Sequence, residues 1–180
     1  MVTKNFGDKK ITIRKFSVKD IKRAKEFQKY INSLIKEKAK ILLNEKLTLK
    51  EEKKWLEDNF LKIKKHKKVF VIAENNNKII GETDIVLDVG WKGHVGKFGI
   101  SIEKSYRGIG LGKCLMGEIL KLAEKELKPK PKIIRIEVFS SNIPAIALYK
   151  KMGFKEVARV PKQLQYKGKI TDETIMLLYL

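Results

Sequence analysis

A glycine-rich run at residues 107–112, Arg-Gly-Ile-Gly-Leu-Gly, lies between a segment of alternating polarity and a segment with helical spacing. The first N–H groups of a helix have no partner within the helix, and the helix dipole favours an anion beside them. Glycines let a backbone approach such an anion and adopt positive φ without a Cβ clash. The order therefore predicts a strand over 97–102, an anion-binding turn, and a helix with Leu115, Ile119, Leu122 and Leu127 on its apolar side.

Two familiar phosphate-binding loops do not fit this run. A dinucleotide loop G-x-G-x-x-G that starts at Gly108 needs glycine at position 113, which is lysine. A Walker A loop needs glycine at position 107 and serine or threonine at 114, but these positions hold Arg107 and Cys114. The pattern that remains is Arg-x-x-Gly-x-Gly, formed by Arg107, Gly110 and Gly112.

A second motif, Asn-x-x-Ala-x-x-Leu-Tyr-x-x-x-Gly-Phe, starts at Asn142 and ends at Phe154. Together the two motifs resemble the cofactor site of the GNAT superfamily of acetyl-CoA-dependent N-acetyltransferases. The motifs are most similar to those of ribosomal-protein and N-terminal alanine acetyltransferases. The resemblance runs from about residue 11 to residue 180. It implies an α/β GNAT fold, with a single mixed and mostly antiparallel sheet of about seven strands, flanked by helices and splayed between strands 4 and 5.

The resemblance also implies which residues hold acetyl-CoA as cosubstrate. Backbone groups of the strand residues Ile100, Ser101 and Ile102 bind the pantetheine arm, and an N–H there stabilises the oxyanion of the reaction. Asn142 hydrogen-bonds the pantetheine, and the same residue is a natural N-cap for the helix that follows it. The glycine turn cradles the pyrophosphate through Arg107, Gly108, Ile109, Gly110, Leu111, Gly112 and Lys113.

Acyl transfer to an amine needs an acid for the departing sulfur and a base for the amine proton. By the resemblance, Tyr149 is the acid. Glu137 occupies the position of the base in N-terminal acetyltransferases, where burial would raise its pKa and a water would relay the proton. Glu82, His94 and water remain alternatives for the base. No cluster of metal ligands and no nucleophile elbow accompanies these residues, so we expect no metal and no catalytic triad.

The elements that position the motifs begin with a strand over 11–16 and a capping box at residues 17–20. The helix opened by that box reaches Ile35 and extends toward Leu43. A second helix starts at Thr48, and its Trp55 and Phe60 are expected to pack in the core.

A hairpin follows over residues 69–87, and the strand over 133–139 is predicted to be central. The last helix covers 142–152, and the last two strands, 154–160 and 173–180, are joined by a polar loop over 162–172. The order β-α-α-β-β-β-α-β-α-β-β predicts one α/β domain over residues 1–180.

The chain has 180 residues, a formal charge of +20 and 43% hydrophobic residues, a composition that can form a core. Of its 41 basic residues five are arginine and 36 are lysine. Recognition of phosphates or bases favours bidentate arginine, so the charge indicates a lysine-rich surface more than a nucleic-acid footprint.

The beginning of the sequence shows no signal-peptide pattern and the chain no membrane-spanning run, and Cys114 is its one cysteine. We therefore expect a cytoplasmic protein that does not engage a membrane, a monomer or homodimer, with Cys114 packed as a small side chain.

The acceptor is predicted to enter opposite the cofactor, between the segments 30–47 and 161–172. These segments are rich in lysine, which disfavours a free polyamine and favours a peptide or protein N-terminus. The alternatives are a small-molecule amine such as a polyamine or amino-acid analogue, a non-catalytic acetyl-CoA-sensing domain, and a basic nucleic-acid or ribosome-binding domain.

Overall fold

One mixed sheet of eight strands is the framework of the computed structural model, which describes residues 2–180. The spatial order is β1-β2-β3-β4-β5-β6-β8-β7, and of the strand pairs described only β5 and β6 run parallel. The strands are β1 (Val2–Phe6), β2 (Lys9–Lys15), β3 (Lys68–Asn75), β4 (Lys78–Leu87), β5 (Val95–Ile102), β6 (Ile133–Phe139), β7 (Lys155–Tyr166) and β8 (Lys169–Tyr179).

Helices cover both faces of this sheet, as its buried central strands require. Short 3₁₀ helices lie at Val18–Arg23, Gly90–Lys92 and Lys104–Tyr106. The α-helices are α1 (Ala24–Lys36), α2 (Leu49–Lys64), α3 (Leu111–Glu126) and α4 (Ile143–Lys151). None of the helices described between residues 2 and 180 is both long and apolar enough to cross a membrane.

Two apolar cores follow from the periodicity of the elements. On one face, α3 packs its buried stripe on the sheet together with Tyr149 and Phe154. On the other face, α1 and α2 bury Phe27, Leu34 and Leu56 against β3 and neighbouring strands. Because strand side chains alternate between faces, neighbouring residues of β4, β5 and β6 contribute to different faces.

A network of charged side chains fixes the start of α1 to the sheet. The Arg14 guanidinium donates to Asp20 at 2.8 and 2.9 Å and to Glu74 at 2.7 Å. Arg23 pairs with the same Glu74. Both carboxylates are buried, so removal of either arginine would leave two buried carboxylates to share one guanidinium.

Most predicted elements are confirmed, and three expectations are wrong. The sheet has an additional strand, β1, which pairs with β2. The first α-helix ends at Lys36 and does not continue toward Leu43, since Lys38 has φ of +53°. The predicted polar loop over 162–172 consists largely of strand, because β7 and β8 continue to a tight turn at Lys167 and Gly168.

Candidate active site

The strands β5 and β6 separate after a short paired segment. They are paired at only three positions, the last of which matches Lys97 with Arg135. Beyond it, β5 stays paired with β4 as far as Ile102, and β6 stays paired with β8 as far as Phe139. Within residues 2–180 the β6-facing edge of β5 beyond Lys97, including Ile100, Ser101 and Ile102, thus has no strand partner. The predicted sheet lacked β1, so its fourth and fifth strands are β5 and β6 of the structure. The splay predicted between these two strands is confirmed.

The glycine turn opens directly into α3. Gly108 has φ of +78° and Gly110, the N-cap residue, has φ of +89°, conformations that disfavour other residues. Cys114 N–H donates to the Gly110 carbonyl at 3.2 Å, which leaves the N–H groups of residues 111–113 as the free donors of this helix start. The first turn of α3 contains no acidic residue, so the helix N-terminus keeps its preference for an anion.

Two basic side chains stand at this turn. The Arg107 Nε donates to the Ile102 carbonyl at 2.7 Å, and its guanidinium also pairs with Glu37 just beyond α1. Lys113 is exposed on the first turn of α3. Cys114 is half-buried and packs against the core under α3, as predicted.

The second motif places a phenol beside the opened strand. Tyr149 is 5% exposed, its ring lies edge-on to Phe98 of β5 with the ring centres 6.2 Å apart, and it also contacts Phe154. The hydroxyl has no hydrogen bond to any residue from 2 to 180, and burial raises the pKa of Tyr149, so it is protonated at neutral pH. Asn142 precedes α4 as its N-cap but makes no side-chain capping bond, which leaves its amide available.

Glu137 lies on β6 between Ile136 and Val138, which belong to the α3 core, so its side chain points to the face covered by α1 and α2. The burial expected for it is not observed. Its side chain is 36% exposed and pairs with Arg135 at 2.6 Å. His94 is exposed, and His66 lies away from this face with its Nδ1 3.1 Å from the Glu126 carbonyl.

A second carboxyl group on the same face is more enclosed. Glu82 of β4 stands opposite Ser101 of β5 in the strand register, 3.4 Å from its hydroxyl. The hydroxyl of Tyr30 on α1 lies 2.8 Å from the same Ser101 oxygen. Burial, with smaller contributions from the carboxylates of Asp84 and Glu52, raises the pKa of Glu82 to about 8.

A cavity of about 250 Å³ extends from Glu82 between α1 and α2. Glu52 of α2 lines it and is 3% exposed, yet its carboxyl has no hydrogen bond to any residue from 2 to 180. Burial raises the pKa of Glu52 to about 7. Trp55, predicted to be a core residue, is 38% exposed and lines this cavity while its ring contacts Phe70 edge-on.

No group of three or more histidine, cysteine or acidic side chains within residues 2–180 is arranged to hold a metal ion. The reactive groups that the fold brings together are therefore a phenol, two enclosed carboxyls and free backbone donors. The sequence analysis did not identify Glu52 or the contacts among Tyr30, Ser101 and Glu82. Only the register of β4 against β5 could have indicated that Glu82 lies opposite Ser101.

Comparison with known proteins gives a consistent result. The model of the acetyltransferase (GNAT) family matches residues 34–154. The N-alpha-acetyltransferase of Sulfurisphaera tokodaii is 34% identical over 106 residues, which are 53% of this chain and 61% of that protein. The chain thus spans about three-fifths of the length of this curated relative.

Two solved structures share the whole architecture. A GNAT-family acetyltransferase from Streptococcus pneumoniae has a TM-score of 0.82 and 25% identity, covering 94% of this chain and 99% of that chain. YncA from Salmonella typhimurium, solved with its cofactor acetyl-CoA, has a TM-score of 0.78 and 20% identity, and the match covers 94% of each chain.

The raised pKa of Glu52 predicts a pH-dependent stability. Between pH 4.5 and about 7 the folded protein holds this proton and the unfolded chain releases it. The free energy of unfolding therefore falls as pH rises through this window, and the loss is complete above it. Glu52→Gln has no carboxyl to titrate and so does not show this loss. The free energy of unfolding of the variant minus that of wild type should therefore increase by on the order of 3 kcal/mol from pH 4.5 to pH 8.

Urea unfolding at both pH values measures this difference. Glu57→Gln, an exposed position on the same helix, is the matched control and should show no such change with pH. An equal effect of Glu52→Gln at pH 4.5 and pH 8 would contradict the prediction.

Proposed function

Because this chain belongs to the acetyltransferase (GNAT) family, we propose that it moves the acetyl group of acetyl-CoA to a primary amine, the N-terminus of a peptide or protein. One observation carries the proposal. The open edge of β5 lies beside a glycine turn whose free N–H groups point from the start of α3. A long ligand with a phosphate part and an amide-bearing arm matches these two features.

The residues present fit acetyl-CoA. Free N–H groups of the turn, with Arg107 and Lys113, would hold the pyrophosphate, as for other anions at helix N-termini. The open edge at residues 100–102 would bind the amides of the arm, and Asn142 has an uncommitted amide for the same arm. A side chain at position 112 would place its Cβ 2.9 Å from Leu148, so glycine there keeps the turn close to α4.

When bound, acetyl-CoA supplies an acetyl thioester with a thiol as leaving group. Tyr149 is proposed to give its hydroxyl proton to the sulfur as the C–S bond breaks. Burial raises the pKa of Tyr149 and so keeps the phenol in the protonated form that the role requires. A backbone N–H of the open edge donates to the carbonyl oxygen as negative charge develops there.

A carboxylate is proposed to take the proton released by the amine nitrogen as the N–C bond forms. Glu82 is favoured for this role because burial raises its pKa to about 8, close to that of an α-amine. The role predicted for Glu137, acting through a water, stays a prediction. Both side chains belong to the same face of the sheet, so an acceptor on that face has access to either.

The whole of residues 1–180 is proposed to be one catalytic domain. The family model covers 34–154, and the strands outside that range, β1, β2, β7 and β8, join the same sheet. A small-molecule amine remains the alternative acceptor. Catalysis is favoured over a purely sensing or ribosome-binding role because a buried phenol and an enclosed carboxyl flank the opened strand.

Acetyl-CoA should raise the thermal unfolding temperature, and thiol should be released when a peptide is added. Gly110→Ala, which forces a positive φ on a residue with a Cβ, should weaken acetyl-CoA binding at least about tenfold. Gly168→Ala is the matched control, since its φ is +75° and its Cβ would also meet open space, but it lies in the distant β7–β8 turn. Equal effects of the two variants on acetyl-CoA binding, or none, would remove the turn from the proposal.

Tyr149→Phe should lower kcat by about a hundredfold while leaving the affinity for acetyl-CoA within about threefold of wild type, since only the hydroxyl proton is lost. Steady-state thiol release and acetyl-CoA titration measure the two quantities. Phe154→Leu is a control for altered packing around the ring without loss of the phenol. An unchanged kcat for Tyr149→Phe would exclude the phenol as the acid.

The pH dependence of kcat/KM, measured with a single acceptor, distinguishes Glu82 from Glu137 as the base. The ionisation of the acceptor itself contributes equally to all variants. A base with a pKa of about 8 must be ionised to act, so the wild-type rate should rise through that pH. Glu82→Gln should lower kcat/KM about a hundredfold and remove the rise with pH that Glu82 causes. Glu137→Gln should leave both the size of kcat/KM and its rise with pH unchanged. The reverse result would assign the base to Glu137.

A further inference from the structure

The cavity between α1 and α2 has predominantly apolar walls. They are formed by α1, by the irregular segment after it, and by α2, through Phe27, Ile31, Leu43, Leu47 and Trp55. Its volume of about 250 Å³ is below the range of pockets that enclose drug-sized ligands. The space therefore suits one apolar side chain with its backbone better than a bulky molecule.

Carboxyl groups line the same cavity. Glu82 lies on the sheet at its base, Glu52 lies on α2, and Glu51 is exposed at its margin. None of the lining residues is lysine, arginine or histidine. Lys68, the buried cation nearby, is already paired with Asp84 at 2.7 Å and lies over the Trp55 ring.

Glu52 points to a ligand independently of the cavity's shape. Glu52 is 3% exposed, and a carboxyl on so enclosed a side chain normally has a hydrogen-bond donor, because burial without one is costly. Within residues 2–180 Glu52 has none, its carboxyl oxygens remain accessible from the cavity that they line, and burial raises its pKa. An ammonium group in the cavity would supply the missing donor and would stabilise the ionised form.

We propose that this cavity binds the first residue of the acceptor, a peptide whose first side chain is aliphatic or aromatic. The α-ammonium group is held by Glu52 and Glu82, and the side chain contacts Phe27, Ile31 and Trp55. The inference rests on the proposed acetyltransferase function and adds the class of acceptor. It is linked to that function through Glu82, which stands opposite Ser101 on the open edge of β5.

Other amines fit the cavity less well. A free amino acid carries a carboxylate next to its amine, which would face Glu51, Glu52 and Glu82 without a cation to match it. A polyamine would pair its ammonium groups with these carboxyls but has no side chain to cover the apolar walls at Phe27, Ile31 and Trp55. A peptide N-terminus with an apolar first residue satisfies both, since its first carboxyl is an amide.

The mouth of the cavity is accessible to such a chain. Leu43 is 45% exposed and lines the cavity, whereas its neighbour Leu42 is 62% exposed and does not line it. The two leucines thus provide a matched pair of positions, both replaceable without disturbing the buried core.

Acetyl transfer should be measured on peptides that differ only in the first residue, with leucine, phenylalanine, serine, aspartate or lysine there. We expect kcat/KM for leucine and phenylalanine to exceed the others at least about tenfold, the discrimination that apolar pockets provide. Leucinamide should exceed free leucine by a similar factor when the rates are expressed per unprotonated amine, because free leucine alone brings a carboxylate into the cavity. Leu43→Ser should reduce the preference for leucine over serine, and Leu42→Ser should leave it unchanged.

The outcomes distinguish a failure of the proposed acceptor class from a failure of the proposed acetyltransferase function. Thiol release at equal rates for leucine and leucinamide, or faster release with aspartate peptides, would overturn the acceptor class and leave the acetyltransferase function standing. Equal effects of Leu43→Ser and Leu42→Ser on the preference would also overturn it. No thiol release with any acceptor would overturn both, and the acetyl-CoA shift in unfolding temperature would then show whether cofactor binding survives.

Discussion

The separation of β5 from β6 is the constraint on which the candidate site depends. The two strands approach closely at Gly96, where a Cβ would lie 2.7 Å from Ile85 and 2.9 Å from Ile134. Only three residue pairs join them before they diverge. Each strand nevertheless keeps its other neighbour along seven residues, β4 for β5 and β8 for β6. The sheet therefore exposes a row of backbone groups to a ligand without giving up its continuity.

Aromatic packing keeps the opening in a defined shape. The rings of Phe98 from β5, Tyr149 from α4 and Phe154 after it contact one another, with ring centres 6.0 to 6.2 Å apart. The same contacts remove Tyr149 from water and so keep its phenol protonated. Burial acts on Glu82 in the same direction, since it too disfavours the charged form. One physical effect thus keeps a phenol protonated on one side of the opened strand and, on the other, raises the pKa of a carboxyl to the range that the proposed base requires.

The sequence predicts the parts of this site that are local. The glycine spacing around Gly110 and the Asn142–Tyr149 motif each lie within one turn and one helix, and both are found as predicted elements. The second half of β7, beyond residue 160, was predicted as a loop because a solvent-exposed edge strand needs few apolar residues, and residues 162–167 have few. Glu52 and Glu82 line one cavity only after α2 packs on α1 and β3. The two residues are thirty positions apart in sequence, and no spacing rule connects them. The same packing leaves Trp55 at the wall of a cavity, which its helical spacing alone does not distinguish from a core position.

The electrostatics of the acceptor face differ from those of the protein as a whole. The formal charge is +20, but most lysines are exposed to solvent, where their fields are screened within about 10 Å at ordinary salt. Inside the cavity the charged groups are carboxyls, and their interaction with a bound group is screened far less. In the proposed function, the enclosed carboxyls select the amine, and the basic exterior favours the approach of phosphate-bearing acetyl-CoA. A basic protein with an acidic cavity can in this way attract an anionic donor and select a cationic acceptor.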